Sequence, residues 1–471
     1  MIRLSTLVIG LCVAASCESA PPASEPVSPA PVPVAVTDTP NVVVVVLDTL
    51  RADHVGCYGY ERPTTPNIDA FAAGSTRYAR ALASAPWTLP SHASMLTGLD
   101  PVAHGAHSFD VDEPVDDNVS PLADEHLTLA EHLGANGYVT GAFLANEAFL
   151  ARRYNLHQGF ETYHLEHSYA EVLNPQILGW IDQHRQAPFF LLVNFMDVHQ
   201  PLNLAPRAGF LEDASREGGS GKLARSIRGK VLPGEGPLPE AKLQRLVDMY
   251  DLALANLDEQ VGSLLDALDG RGLLDDTVVV IVSDHGGYFG EHHLLGHSKD
   301  VYRQAMEVPL IVRGPGQGEG RVVDAVVTSA DLPRLVLEQL PAMAGAESPF
   351  PAPGHAQGAL GENYYARVKD LFGTRWDHRF DRVRRSLVRW PYKLIHSSDG
   401  QHELYDLELD PAEARNLFAD QPDVAGPMMA TVEQAIAHAA TSGEAPSEAL
   451  TEADKAKLRA LGYMDEEGAG E

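Results

Sequence analysis

The chain predicts an α/β protein: a mainly parallel central sheet flanked by helices, followed by a small C-terminal α+β subdomain. Three observations carry this. First, the runs 41–47 (NVVVVVL), 188–195 (PFFLLVNF) and 277–282 (TVVVIV) are apolar almost throughout, as strands covered on both faces are. Second, helical periodicity lies between them. The longest case, 241–269, sets Leu246, Met249, Tyr250, Leu257, Val261 and Leu264 on or near one face. Third, beyond a Pro-, Gly- and Ala-rich stretch at 341–360, residues 384–395 and 403–407 alternate like an antiparallel sheet and 423–438 read as a helix.

The 471 residues suffice for one large domain and a smaller one, and 44% hydrophobic residues supply a sizeable core. With 65 Asp and Glu against 35 Lys and Arg, the net charge of -30 excludes nucleic acid and anionic membrane as direct ligands. An anionic substrate needs local help from a metal or a basic pocket.

Residues 1–17 form a leader, with Arg3 before an apolar 4–13 that is too short to span a bilayer. Ala14-Ala15-Ser16-Cys17 resembles a bacterial lipoprotein cleavage box, the other reading being an ordinary secretory signal. Either implies export; the first implies a lipid anchor at Cys17, in the periplasm or on the outer surface of the bacterial envelope. Residues 18–40 are a Pro/Ala/Ser-rich tether. With Cys12 removed and Cys17 lipidated, Cys57 stands alone and is read as packing. The remainder divides into a catalytic domain at 41–340, a linker at 341–380 and the C-terminal subdomain at 381–471.

The first strand ends in Asp48. In open α/β sheets the ligand lies beyond the carboxyl ends of strands, so this carboxylate is either a metal ligand or a cap for the next turn. Asn67 and Asp69 read as caps of a short helix. Residues 85–98 (APWTLPSHASMLTG) form a turn broken by Pro86 and Pro90, with Ser91 placed to cap a following helix. Thr88 is then held near the positive end of a helix dipole, where an oxyanion or alkoxide is stabilised; the bland reading is a capping turn. The second buried strand runs into His199, which on its own reads as a hydrogen-bonded core residue. Residues 202–240 are read as an irregular loop whose Arg216, Lys222, Arg225, Arg228 and Lys230 make the visible basic cluster. The third buried strand ends in Asp284-His285-Gly286-Gly287. A hard oxygen beside a borderline nitrogen on a glycine turn suits a metal; a cap beside a structural His is the alternative. A further strand is expected over 306–312.

The frame Thr88-Leu89-Pro90-Ser91-His92, ending at Thr97-Gly98, resembles the Cys/Ser-x-Pro-Ser-Arg signature of sulfatases in the alkaline phosphatase superfamily. The block from Asp284 to His297 resembles that family's second signature, and 458–463 (LRALGY) a familiar ending. The resemblance covers 41–463 and implies the alkaline phosphatase-like fold. It implies one divalent metal ion (Ca, Mg, Mn or Zn) held by Asp48, Thr88, Asp284 and His285. It also implies Thr88 as nucleophile, His199 as donor to the leaving group and His297 as a contact of the substrate anion. His92 replaces the family's Arg at the substrate. His104 matches a family His-Gly and either lines the site or serves the local backbone. Thr49 replaces a second family Asp. Asn146 lies where the family has Gly-Lys-Trp-His and stands in as a neutral substrate donor. His292 and His293 match variable positions.

The implied activity is hydrolysis of a sulfate, phosphate or phosphonate ester through a covalent Thr88 intermediate. The implied substrate is an anionic ester, of glycan or lipid-linked type. This Thr-bearing ligand set resembles lipoteichoic acid synthases and, in part, phosphonate monoester hydrolases. A phosphoryl transferase and a non-catalytic, lipid-anchored glycan-binding protein are the alternatives.

Overall fold

The computed structural model describes residues 39–109, 119–202, 207–210, 219–343, 347–351, 358–364, 379–439 and 450–460. The leader, nearly all of the tether, Arg216 and the end of the 458–463 motif lie outside them. The first half of the chain supplies strands β1 (Asn41–Leu47), β2 (Thr76–Leu82), β3 (Val139–Leu144), β4 (Thr162–Leu165) and β5 (Phe189–Phe195). Among them lie helices α1 (Pro66–Ala73), α2 (Thr88–Thr97), α3 (Pro101–His104), α4 (Leu129–Ala135) and α5 (Ala170–His184). There follow α6 (Ser220–Val231), α7 (Glu240–Asp269), β6 (Thr277–Val282), β7 (Tyr288–Phe289), β8 (Leu295–Gly296), α8 (Arg303–Met306), β9 (Glu307–Val308), β10 (Leu310–Arg313), β11 (Arg321–Thr328) and α9 (Leu332–Leu337). The C-terminal part holds β12 (Ala359–Asn363), β13 (Arg384–Arg389), β14 (Tyr392–Ser397), β15 (Glu403–Asp406), α10 (Pro422–Ala439) and α11 (Glu452–Ala460).

The large sheet has the order β11-β2-β10-β6-β1-β5-β3-β4, with β9 also paired to β2. β6, β1, β5, β3 and β4 run parallel, whereas β10 is antiparallel to both of its neighbours. Every residue of β1, β5 and β6 is buried, which is why these runs show no polar alternation. Side chains such as Val43, Val44 and Val280 contribute about 1.5–3 kcal/mol each on full burial.

The four-stranded sheet, β12-β13-β14-β15, is antiparallel and shows the expected period of two. Leu360, Leu387, Leu394 and Leu404 pack with Ala425, Met428 and Val432 of α10. Val388, Ile395 and Tyr405 instead join the main core. Both faces of this small sheet are therefore covered.

Several sequence expectations change. The 341–380 stretch, read as linker, contains β12, which pairs with β13. The 202–240 stretch contains α6, whose Leu223, Ile227 and Val231 form one buried stripe at four-residue spacing. The strand expected at 306–312 is split by Pro309 into β9 and β10. Asp69 does not cap its own helix; its Oδ1 accepts from Cys57 N (2.7 Å). The cap on α1 comes from Asp258 of α7, whose carboxylate accepts from Asn67 N and Ile68 N, both at 2.9 Å.

Candidate active site

Parallel pairing fixes where the chemistry collects. Val46 lies opposite Val282 and Asn194, so the ends of β6, β1 and β5 finish together. Beyond them come Asp284-His285, Asp48 and His199. β3 lies on the other side of β5 and leads into Asn146.

Asp284, Asp48 and His285 are each held by one atom and open at another. Asp284 Oδ1 accepts from Thr49 N (3.1 Å) and His285 N (2.9 Å). Asp48 Oδ2 accepts from Asn146 Nδ2 (3.1 Å) and Asn194 Nδ2 (3.4 Å). His285 Nδ1 lies 2.8 Å from Gly286 O; a carbonyl only accepts, so Nδ1 carries the proton and Nε2 a lone pair. That leaves Asp48 Oδ1, Asp284 Oδ2 and His285 Nε2 buried with no hydrogen-bond partner. His285 Nε2 is 3.5 Å from the Asp284 oxygen and 4.0 Å from the Asp48 oxygen. Among the described residues these three form the one cluster of His, Cys, Asp or Glu that converges in this way.

Three buried acceptors facing one another are unfavourable without a cation. Burial, and then the charge of Asp48, pushes the Asp284 carboxyl well above the usual range. Burial takes the His285 imidazole down to about 4, so it stays neutral at pH 7 and offers no compensating charge. Two carboxylate oxygens and an imidazole nitrogen fit a divalent metal ion.

Thr88 opens α2, and its Oγ1 accepts from the same Asn146 Nδ2 (3.2 Å) that holds Asp48. Asn146 Oδ1 accepts from Ala148 N (3.2 Å) and Phe149 N (3.0 Å), which orients the amide. The helix begins at Thr88 rather than after Ser91, because a proline in the first turn interrupts no helical hydrogen bond. Ser91 therefore caps nothing; its Oγ donates to Asp284 O (2.6 Å) and binds α2 to the end of β6. One turn after Thr88, His92 Nδ1 donates to Thr88 O (3.0 Å) and lies 3.6 Å from Asp284 Oδ2. Its Nε2 is buried with no hydrogen-bond partner, and burial lowers its pKa.

His199 Nε2 and His297 Nε2 are 3.2 Å apart, and the His297 ring lies 4.6 Å from that of His285. The structure thus brings Asp48, Thr88, His92, Asn146, Asp284 and His285 together, with His199 and His297 alongside. His104 is different. Its Nε2 meets Ser94 Oγ (3.1 Å) and its Nδ1 accepts from Ala106 N (3.0 Å). Both ring nitrogens are used at the corner between α2 and α3, so His104 serves the local structure and not a substrate. Asn146 is also corrected: its amide is spent on Asp48 and Thr88, not on a substrate oxygen.

Two contributors were not evident from the sequence. Asn194 supports Asp48 from within an apolar strand; a lone Asn in FFLLVNF was the available signal. Thr49 adopts a left-handed φ of 61°, which is rare for a β-branched residue and turns its N–H onto Asp284. Its carbonyl accepts from Tyr250 Oη (2.9 Å), which helps hold that bend.

A family model described as Sulfatase matches residues 40–342. The chain is similar to an arylsulfatase of Clostridium perfringens, 25% identical over 450 residues that cover 80% of this chain and 90% of that protein. It is also similar to human arylsulfatase A, 29% identical over 364 residues, 67% of this chain and 66% of the other. Among solved structures, phosphonate monoester hydrolase of Agrobacterium radiobacter matches with a TM-score of 0.64 at 20% identity, covering 85% and 96% of the two chains.

Proposed function

The chain belongs to the sulfatase family, hydrolases of sulfate or phosphate ester bonds, and from that premise we propose that it works through a covalent intermediate on Thr88. The observation that carries this is the Asn146 amide, which touches Asp48 Oδ2 and Thr88 Oγ1 at once. It sets the Thr88 hydroxyl against the three converging acceptors at the N-terminus of a helix, where negative charge is stabilised.

Asp48, Asp284 and His285 would hold a divalent ion, with Thr88 Oγ1 as the substrate-side ligand. Such an ion lowers the pKa of a bound hydroxyl and neutralises charge on a transferring group. Asn146 orients Thr88 Oγ1 and holds Asp48 so that Oδ1 remains open. His92 borders the same space through Nε2. An N–H···N contact of 3.2 Å between His199 and His297 requires a proton on at least one Nε2. We assign that proton to the departing oxygen.

Thr88 favours phosphate or phosphonate esters over sulfate. A geminal diol can expel a bound sulfate by elimination, and threonine has a single oxygen on Cβ. The second step is then attack of water at the central atom, which is the easier course at phosphorus. The buried acceptors of the metal cluster, kept at the ends of two separate strands, oppose a non-catalytic role.

The experiment is intact-mass and peptide analysis of enzyme quenched during turnover of phosphate, phosphonate and sulfate esters. An adduct on the Thr88 peptide, absent from Thr88→Ala, is expected, with high resolution separating phosphate from sulfate. Thr88→Ala should lose at least about a thousandfold in kcat. Normal turnover by that variant overturns the covalent route.

A further inference from the structure

The chain leaving β4 ends at the same edge of the sheet as the active site, because β3, β4 and β5 are parallel neighbours. It consists of Glu166, His167, Ser168 and Tyr169, followed by α5. This short segment is fixed at several points. Glu166 N donates to Leu144 O (3.0 Å), and the Glu166 carboxylate accepts from Gln176 Nε2 (2.9 Å) and Ser168 Oγ (3.1 Å). His167 Nδ1 approaches Ala145 O (3.4 Å), next to Asn146. At the other end Ala170 N donates to both oxygens of Asp197 (3.1 Å each), two residues before His199. The segment therefore spans from the neighbour of Asn146 to the neighbourhood of His199.

On this braced backbone Tyr169 is 50% exposed, and Val172, one helical turn on, is 47% exposed. Single exposed apolar residues need no explanation, but Tyr169 at the end of this braced segment and Val172 in the first turn of α5 form an apolar step next to the segments that lead into Asn146 and His199. The carboxylates of this segment and of the first turn of α5, Glu166 and Glu171, favour a neutral group at the step and repel a second anion. His199 is the residue placed beside the departing oxygen. What lies beyond it meets the alcohol part of the ester rather than the transferred group.

We propose that Tyr169 and Val172 form a subsite for a neutral, ring-bearing leaving alcohol, a pyranose or an aryl group stacked on the tyrosine. This rests on the ester-hydrolase reading for its chemistry, while the binding itself is testable without turnover. Stacking on an aromatic ring is worth about three- to tenfold in affinity.

The kinetic test compares an aryl ester with a small fluoroalkyl ester of the same acid. Tyr169→Ala should raise KM for the aryl ester about three- to tenfold and leave the fluoroalkyl ester unchanged, with Tyr169→Phe restoring the difference. Equal changes for both esters, or none, overturn the subsite. The turnover-independent test is saturation-transfer NMR with phenyl β-glucopyranoside, a neutral probe carrying both kinds of ring. Transfer to one ring in the wild type, lost in Tyr169→Ala, supports the subsite and identifies the ring it takes. Equal transfer in the two proteins, or none in the wild type, overturns it. Should the wild type cleave no ester, the hydrolase reading fails while the NMR comparison still decides the subsite.

Discussion

Asn146 gives the site its sharpest residue-level prediction. Its side chain is the donor shared by Thr88, the proposed nucleophile, and the Asp48 carboxylate, and Asn194 at 3.4 Å is the remaining amide on Asp48 Oδ2. Asn146→Ala should lower metal affinity and kcat by about 10–100-fold each, the usual cost of removing a group that orients a ligand. Metal titration beside steady-state kinetics on a folded variant checks this, and unchanged metal affinity would remove Asn146 from that role. Much of the site was legible at this scale. Asp48 and Asp284-His285 announce themselves because polar residues directly follow apolar runs. Asn146 and Thr49 did not, since their roles depend on an amide orientation and a backbone angle that spacing does not encode. For His104 the sequence left two readings open, and spacing could not choose between them: a histidine near the signature turn has two nitrogens to satisfy, and both found partners nearby.

Elements are joined here by carboxylates that cap one helix from another part of the fold, and Asp197 shows the consequence for stability. It sits at the end of β5, nearly buried, and caps the start of α5. Burial raises its pKa to about 7, against the lowering effect of the Ala170 N–H. An unfolded Asp releases its proton near the ordinary value of about 3.9, so between there and about 7 the folded state binds the extra proton. Stability from this group is full below the unfolded pKa and is lost as pH rises through about 7. Asp197→Asn should therefore match the wild type near pH 4 and exceed it above pH 7, by as much as ~4 kcal/mol. Denaturant melts at both values read the difference; a pH-independent gap would contradict it. The buried strands were the most legible elements, because no alternative burial suits seven apolar residues between turns. α6 was hidden by its basic, glycine-containing sequence, although its buried residues recur at every fourth position. β12 (ALGEN) was hidden because Gly361 and Glu362 are poor strand formers that tertiary pairing overrides.

Buried ion pairs and hydrogen bonds fix the small sheet within the C-terminal part and to the main body. Lys393 of β14 pairs with Glu413 at 2.6 Å, and Glu413 also accepts from Arg303 N (2.7 Å) at the start of α8. Arg384 of β13 bridges Asp300 and Glu403. Lys393→Met should cost about 3–5 kcal/mol by leaving the Glu413 charge buried and unpaired, and adding Glu413→Gln should recover much of it. Thermal unfolding of the single and double variants tests that recovery. Nearer the nucleophile, Glu362 N donates to Ser84 O (2.8 Å), and its carboxylate accepts from Val102 N and Arg385 Nε, both at 2.7 Å. The turn carrying Thr88 is thus braced by a strand made much later in synthesis. A ribosome delivers the chain from its N-terminus, so Thr88 emerges long before its brace. The nascent polypeptide therefore carries Thr88 without its finished surroundings until Glu362 and Arg385 have been delivered.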